Sequence, residues 1–519
     1  MKGHQSAWRK TAAGLLAVLL LGSVTACTST PGENTAKPSS PSSPANATVS
    51  EAPKETPKTS VTIKVLHQRT TNFPEDNPVK AEIIKRTGID FQPITVEGGE
   101  IQNKLNVMIA SGDMPDIIQF DSVKLKELVD NKVIIPLDEL LQQHGKSILD
   151  NKKAYFGKNA TLDGKVYALP MGLGYPSVLA LRKDWLSKVA MNLPTTLDEY
   201  YNVLKAFVEK DPDGNGKNDT LGLGATLEQT ITLNHIFAAY GVAFGIPGRP
   251  QYVNGELLPT PLQPGYLDAV KFLNKLYKEG LLDPDFPTIP AMKSFEKLWN
   301  GTIGVYDFTP VGTSNNWVSR YKDPKPEWAF TVLKGPQGKG GTARVIRDTG
   351  TFFGITRASK HPEEAMKLLN FLNSEEGDKL TYLGIEGKHY TMKDGKVEWI
   401  PPYQDAAKQR NEGGFAYSAI SYRIGGAEQI MLNKPTQDAI KLGNDNAMND
   451  GYIYERPVVE VEIGKILNDI EKEMLVTLVA SKGNLDDEYE KFKKKYLDAG
   501  GKKWIEQATA IYKKENKVN

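Results

Sequence analysis

The chain has 519 residues, with 64 lysines and arginines against 63 aspartates and glutamates, and a net charge of +1 leaves no basic footprint for nucleic acid. Its single cysteine, Cys27, excludes an intrachain disulfide and any multi-cysteine zinc site. The length exceeds what one hydrophobic core usually spans, so two lobes are expected.

Lys2, Arg9 and Lys10 open the chain, and an apolar stretch from Ala12 to Leu20 runs into Leu21-Gly22-Ser23-Val24-Thr25-Ala26-Cys27. A permanent membrane helix needs roughly 20 apolar residues, so 1–26 reads as an export signal ending in small residues. Val24-Thr25-Ala26-Cys27 resembles the bacterial lipobox. That makes Cys27 the expected mature N-terminus, acylated on its thiol, and the expected location the extracytoplasmic face of the cell membrane. Residues 27–60 are rich in Ser, Pro and Thr and poor in large apolar side chains, so they are expected to form a flexible tether.

Folded structure is expected from Val61. Residues 61–66 alternate as a strand, 78–86 form a short helix closed by Gly88, and 89–96 form a second strand. Ile101, Leu105, Met108 and Ile109 share one helical face, after which Asp113-Met-Pro-Asp116 turns into a buried strand through Phe120, with Asp113 expected to cap backbone amides. This is the order of a parallel α/β sheet. A strand over 178–182 precedes a capping box, Thr196 with Glu199, at the head of an amphipathic helix through Val208. Further helices are expected over 266–279, 295–299 and 362–373, strands over 301–306 and 350–355, and a mainly helical end over 458–480 and 485–512.

The set Ala110-Ser-Gly-Asp-Met-Pro-Asp-Ile-Ile118, Tyr167-Ala-Leu-Pro170, Leu181-Arg-Lys-Asp-Trp-Leu186, Asp211 to Asp219, His361-Pro-Glu-Glu-Ala365 and Gly384-Ile-Glu-Gly-Lys-His-Tyr390 covers nearly the whole mature chain. In this order it resembles the extracellular solute-binding proteins of family 1, and within them long lipoproteins related to alginate-oligosaccharide-binding proteins. The resemblance implies a type II periplasmic-binding-protein fold, α/β, with two discontinuous lobes and a helical C-terminal segment. It implies 61–172 with 345–420 in the N-terminal lobe and 173–344 with 421–519 in the C-terminal lobe. It also implies a monomer that closes on a carbohydrate, an oligosaccharide by preference, and docks on ABC importer permeases. Peptides and small polar solutes use the same fold.

Asp211-x-Asp213-x-Asn215-Gly216-x-x-Asp219 sets oxygen donors at alternate positions round a glycine turn, as a calcium loop does, with Lys217 contributing its carbonyl. Gly222 stands where such a loop has a bidentate Glu. In the alginate-binding relatives the completing donor follows the ninth-position acid, here Thr220. A polar turn without an ion is the other reading. An ion here would be Ca²⁺ in a structural role.

Binding groups in open α/β sheets lie past the carboxyl ends of strands, which nominates His67, Gln68, Arg69, Asp121, Tyr175, Tyr306, Asp307 and Phe308. Trp317, in a polar loop, and Tyr175 are candidates to stack on sugar faces, whereas Trp185 and Trp299 sit at apolar helix positions and are expected in the core. No His-Glu-x-x-His or Gly-x-Ser-x-Gly is present, and Gly335-Pro-Gln-Gly-Lys-Gly-Gly-Thr342 has Gly341 where a phosphate loop needs Lys, leaving a surface turn. No catalytic residue is nominated. The competing reading is a surface-anchored polysaccharide-active enzyme, a glycosidase or lyase.

Overall fold

The computed structural model describes residues 61–518 except 69–75, 97–99, 122–123, 153–155, 157–159, 171–174, 245–248, 311–319, 343–350, 414–416, 418–425, 449–450, 452 and 454. The signal, Cys27, the tether, Arg69 and Trp317 therefore lie outside the described residues.

Along the chain the framing elements are β1 (Thr62–Gln68), α1 (Pro78–Thr87), β2 (Asp90–Val96), α2 (Ile101–Ser111), β3 (Ile117–Asp121), β4 (Leu169–Pro170), β5 (Val178–Arg182), α3 (Leu197–Glu209), β6 (Leu221–Gly224) and α4 (Asn234–Ala239). They continue with β7 (Gln251–Val253), β8 (Glu256–Leu258), α5 (Tyr266–Lys278), β9 (Ile303–Phe308), β10 (Trp328–Thr331), β11 (Thr351–Ile355), α6 (Pro362–Leu372) and α7 (Glu375–Tyr382). The last are α8 (Gly426–Met431), α9 (Lys434–Asp445), α10 (Glu460–Ala480), α11 (Leu485–Tyr496) and α12 (Lys502–Asn516).

Local chemistry sets the boundaries. Asn77 caps α1 by accepting from Val79 N–H at 2.8 Å, Pro78 supplies a ready first turn, and Gly88 ends the helix at φ 69° with its N–H on the Ile84 carbonyl. At α3 the capping box forms: Glu199 N–H donates to Thr196 Oγ1 at 3.3 Å and Thr196 N–H to Glu199 Oε2 at 3.2 Å. It is Asp116, not Asp113, that binds backbone near the first turn, accepting from Lys64 N–H at 2.9 Å and from the Ser359 hydroxyl at 2.6 Å.

The first lobe is a sheet of order β2-β1-β3-β11-β4, with β1 parallel to β2 and β3, and β11 antiparallel to β3 and β4. Alternation divides its apolar residues between two layers: Ile63, Val65, Ile117 and Phe353 pack under α1 and α6, while Leu66, Ile118, Phe120 and Phe352 pack under α2. The second lobe is a sheet of order β10-β5-β9-β6, in which β9 is parallel to β6 and antiparallel to β5. Leu181, Val305 and Leu223 face the core of α3, α5 and α10, and Ala180, Tyr306 and Phe308 face the opposite layer.

The described elements pass between the sheets from β4 to β5, from Thr342 to β11, and from α8 to α9. Helix α8 packs on α7 of the first lobe, with Ala427 N–H on the Asp378 carboxylate at 2.8 Å. Helix α9 then packs on β5 and β10 of the second lobe. Gly443 of α9 meets the other two passages: the Thr342 hydroxyl donates to its carbonyl at 2.6 Å, and a Cβ there would lie 2.5 Å from Pro176 Cγ. The C-terminal helices α10 to α12 cover the second lobe, broken at Gly500, where φ is 110° and Ile463 leaves no room for a side chain. Among the described residues no helix is long and apolar enough to cross a membrane.

Candidate ligand-binding site

Parallel strands β1 and β3 end together, so the first lobe offers its polar groups where Gln68 and Asp121 emerge. Leu66 lies opposite Ile118, which sets Gln68 level with Phe120 and one residue short of Asp121. Gln68 is exposed, and its N–H donates to Gln119 Oε1 at 2.7 Å, a contact that joins the two strand ends. Asp121 is half-buried, and burial raises its carboxyl above the ordinary aspartate range. A half-buried carboxylate beside an exposed amide suits paired recognition of hydroxyl groups. His67 is turned inward, fully buried, with Nδ1 3.3 Å from the Gln68 carbonyl oxygen, and does not reach this surface.

In the second lobe, Tyr175 is half-buried at the passage into β5. The nominated residues of β9 are placed otherwise than the sequence suggests. Strand β9 is buried along all six residues because β5 and β6 flank it and helices cover both faces. Tyr306 is inaccessible, with its hydroxyl 3.1 Å from Ser294 Oγ and burial pushing its phenol up to about 12. Phe308 stands edge-on to Tyr306 at 5.5 Å and to Trp328 at 6.1 Å. These two are core residues, not ligand surface.

Asp307 holds an internal network. Its carboxylate accepts from the Ser177 hydroxyl and from His235 N–H at 3.1 Å, and lies 3.2 Å from His235 Nδ1; His235 Nε2 is 3.0 Å from Tyr200 Oη. Ser, His and Asp meet here, yet all are buried and the serine bonds the carboxylate rather than the imidazole, which is not a nucleophile arrangement. Ser177, His235 and Tyr200 carry no motif spacing, so only the fold reveals the group. Trp185 is fully buried in the core; Trp299 is half-buried, stacked on Phe295 at 5.7 Å with the Arg320 guanidinium 4.8 Å from its ring.

The loop after α3 is wound round its own carboxylates. Asp211 accepts from the N–H groups of Gly214 and Asn215 at 3.2 Å and of Gly216 at 2.9 Å, and Gly214 and Gly216 have φ of 75° and 73°. Asn215 Nδ2 donates to Asp213 at 2.7 Å and to Asp219 at 2.9 Å, while Lys217 N–H donates to Asn215 Oδ1 at 2.7 Å. Thr220 turns away: it is buried, with its hydroxyl on the Phe207 carbonyl at 2.7 Å. Gly222 explains the missing Glu, since a Cβ there would lie 2.7 Å from the Leu281 carbonyl oxygen. Among the described residues no group of three or more His, Cys, Asp or Glu side chains is arranged to hold a metal.

Compared with known proteins, the chain is similar to lipoprotein LipO of Bacillus subtilis (strain 168), 26% identical over 467 residues that make up 84% of this chain and 89% of LipO. It is similar to the polygalacturonan/rhamnogalacturonan-binding protein YtcQ of the same organism, 25% identical over 468 residues, 85% of this chain and 89% of YtcQ. The fold matches that of an EF-hand mutant of the Streptococcus pneumoniae ABC-transporter substrate binding protein FusA in complex with fructo-nystose. That match has a TM-score of 0.67 and 20% identity, and covers 88% of this chain and 100% of the other. Residues 71–379, more than half of the chain, match the bacterial extracellular solute-binding protein family, and the protein is a member of that family.

Proposed function

We propose that the protein captures an oligosaccharide between its two lobes and delivers it to ABC importer permeases from the extracytoplasmic face, where lipid on Cys27 holds it. The observation that carries this reading is the likeness to a polygalacturonan/rhamnogalacturonan-binding protein along 85% of the chain, and family membership sets it among binding proteins rather than enzymes. Gln68 and Asp121 supply hydroxyl contacts from the first lobe, and Tyr175 and Trp317 supply stacking surface. Ligand contacts made from both lobes bias the open and closed populations only by their difference in affinity for the two.

Thermal shift over galacturono-, rhamnogalacturono- and fructo-oligosaccharides tests it, since a ligand at a hundred times its Kd adds about 2.7 kcal/mol of stability. The stabilising sugar should be recovered intact, should shrink the radius of gyration in solution scattering, and should bind less well to Asp121→Ala and Trp317→Ala. A panel without any stabilising sugar, or new reducing ends after incubation, would overturn the reading. Cys27→Ser should release the protein from the membrane fraction.

We further propose that the loop Asp211–Asp219 takes Ca²⁺ as a staple within the second lobe, through Asp211, Asp213, Asn215, the Lys217 carbonyl and Asp219. The loop's own crowding supports this. The Asp211 carboxyl is lowered by its interaction with Asp213 and by the Gly216 N–H, while Asp213 is raised by burial and by that same neighbour, so the two acids crowd each other and a divalent ion would relieve the crowding. The likeness to FusA, a protein with an EF-hand mutant, is in keeping with it. After chelation, millimolar Ca²⁺ should raise the melting temperature of the parent protein and not of Asp213→Ala; an unresponsive parent leaves only the polar turn.

A further inference from the structure

Two adjoining cavities of about 610 and 560 Å³ open on the second lobe and share Pro264 and Lys339 in their walls, forming one groove. At one end lie Tyr252 and Tyr512, half-buried and stacked at 4.7 Å and 21°. At the other lie Tyr240 and Phe272, also half-buried. Lys339 divides the two halves. It belongs to the glycine-rich turn 335–342, tied by Gly335 N–H on the Lys339 carbonyl at 2.8 Å, and its stem lies across Gly241, where a Cβ would stand 2.5 Å from Lys339 Cδ. Gly241 and Gly265 line the groove at φ of 78° and 95°, conformations that keep side chains out of it.

We propose that this groove is a second glycan-binding site, which holds a neutral run of polysaccharide apart from the site between the lobes. Aromatic surface at both ends of a groove that also carries Gln251, Gln337 and Lys339 suits a chain of sugar rings, whose C–H faces pack on flat rings while hydroxyls bond between them. The charges in its lining are Lys339, Asp268 and Lys271, and Lys271 is already paired with Asp486 at 2.8 Å. Among the described residues this leaves Lys339 and Asp268, one charge of each sign, which gives no field for a polyanion, so a neutral chain is the occupant. The groove is separate from the strand ends of β9: His235 at the start of α4 contacts Asp307, whereas the groove begins at Ala239, the last residue of that helix.

The proposal takes its ligand class from the carbohydrate reading, so the two are measured separately. Native electrophoresis of the full chain in gels cast with inulin or galactan reads the groove, and thermal shift with three-unit fructo-, galacto- and galacturono-oligosaccharides reads the interlobe site. Parent protein should be retarded by at least one neutral polymer, about tenfold less in Tyr512→Ala and in Lys339→Glu. Lys339 is exposed, so Lys339→Glu remains informative if Tyr512→Ala fails to fold. Neither variant should change the oligosaccharide shift, and Asp121→Ala should lose that shift while keeping the retardation. No retardation of the parent, or equal retardation of both variants, overturns the groove whatever the oligosaccharides do. Retardation without any oligosaccharide shift upholds the groove and removes the interlobe reading.

Discussion

The imidazole of His389 is fully buried, accepts the Ile385 N–H on Nδ1 at 2.7 Å and stands edge-on to Tyr403 at 4.4 Å. Burial first, then the charge of Lys388, lowers its pKa from 6.5 to about 4 against a small opposing pull from Glu412. Above pH 6.5 the ring is neutral folded and unfolded, and its contribution is fully present. As pH falls from 6.5 through 4 the unfolded chain gains a proton that the folded one refuses, and up to about 3 kcal/mol is lost. The melting temperature should drop over that window, and less steeply in His389→Asn, whose amide oxygen keeps the Ile385 bond without titrating. Parallel curves would assign the acid response to other groups. Asp307 makes a second test at this scale: Asp307→Ala strands the Ser177 hydroxyl, the His235 N–H and its ring in the interior, for a cost of about 3 kcal/mol by chemical denaturation. No measurable change would mean that solvent reaches the network.

At the scale of elements, what the sequence made legible is what period and capping encode. The capping box at Thr196, the stop at Gly88 and the order of strand and helix through Asp121 follow from spacing alone, and Thr196→Ala should lower stability by about 1 kcal/mol through the exposed helix end. Strand β9 shows where spacing fails. Its run Ile-Gly-Val-Tyr-Asp-Phe reads as a strand that stops at Tyr306 with binding groups at its end, but the strand continues to Phe308 with both faces covered, and Asp307 is satisfied by residues 72 and 130 positions away. Pairings at that separation have no local signature. The hairpin of β7 and β8 and helix α9 were passed over for a similar reason, since short or polar segments gain their order from packing. In the loop Asp211–Asp219 the oxygen donors at alternate positions are readable from the sequence, yet the reason for Gly222 is the Leu281 carbonyl packed against it. Gly222→Glu should therefore lower the melting temperature and leave calcium affinity no tighter; a tighter loop of unchanged stability would show that the backbone yields there.

For the whole molecule, the resemblance supplied two interleaved lobes, and the structure adds where the passages meet. Gly443→Ala gains up to about 1 kcal/mol of helix propensity but drives a methyl group to 2.5 Å from Pro176, and overpacking of that kind costs about 1–3 kcal/mol. Crowding should win: the variant should melt lower and show a changed radius of gyration without ligand, although no group at the strand ends has been touched. An unaltered scattering curve would remove Gly443 from the control of lobe geometry. The strand order β2-β1-β3-β11-β4 carries a further consequence, for the birth of the protein. In a chain made from its N-terminus, β3 has no neighbour on its outer edge until Thr351–Ile355 arrives, 230 residues after Asp121, and for that interval a strand of Ile, Ile, Gln and Phe presents open amides and carbonyls to any passing chain. Nascent chains halted before residue 351 should be aggregation-prone and protease-sensitive, whereas those that have passed Ile355 should protect their first 60 folded positions, roughly, at once. How promptly β11 follows β3 then sets how long that edge stays open.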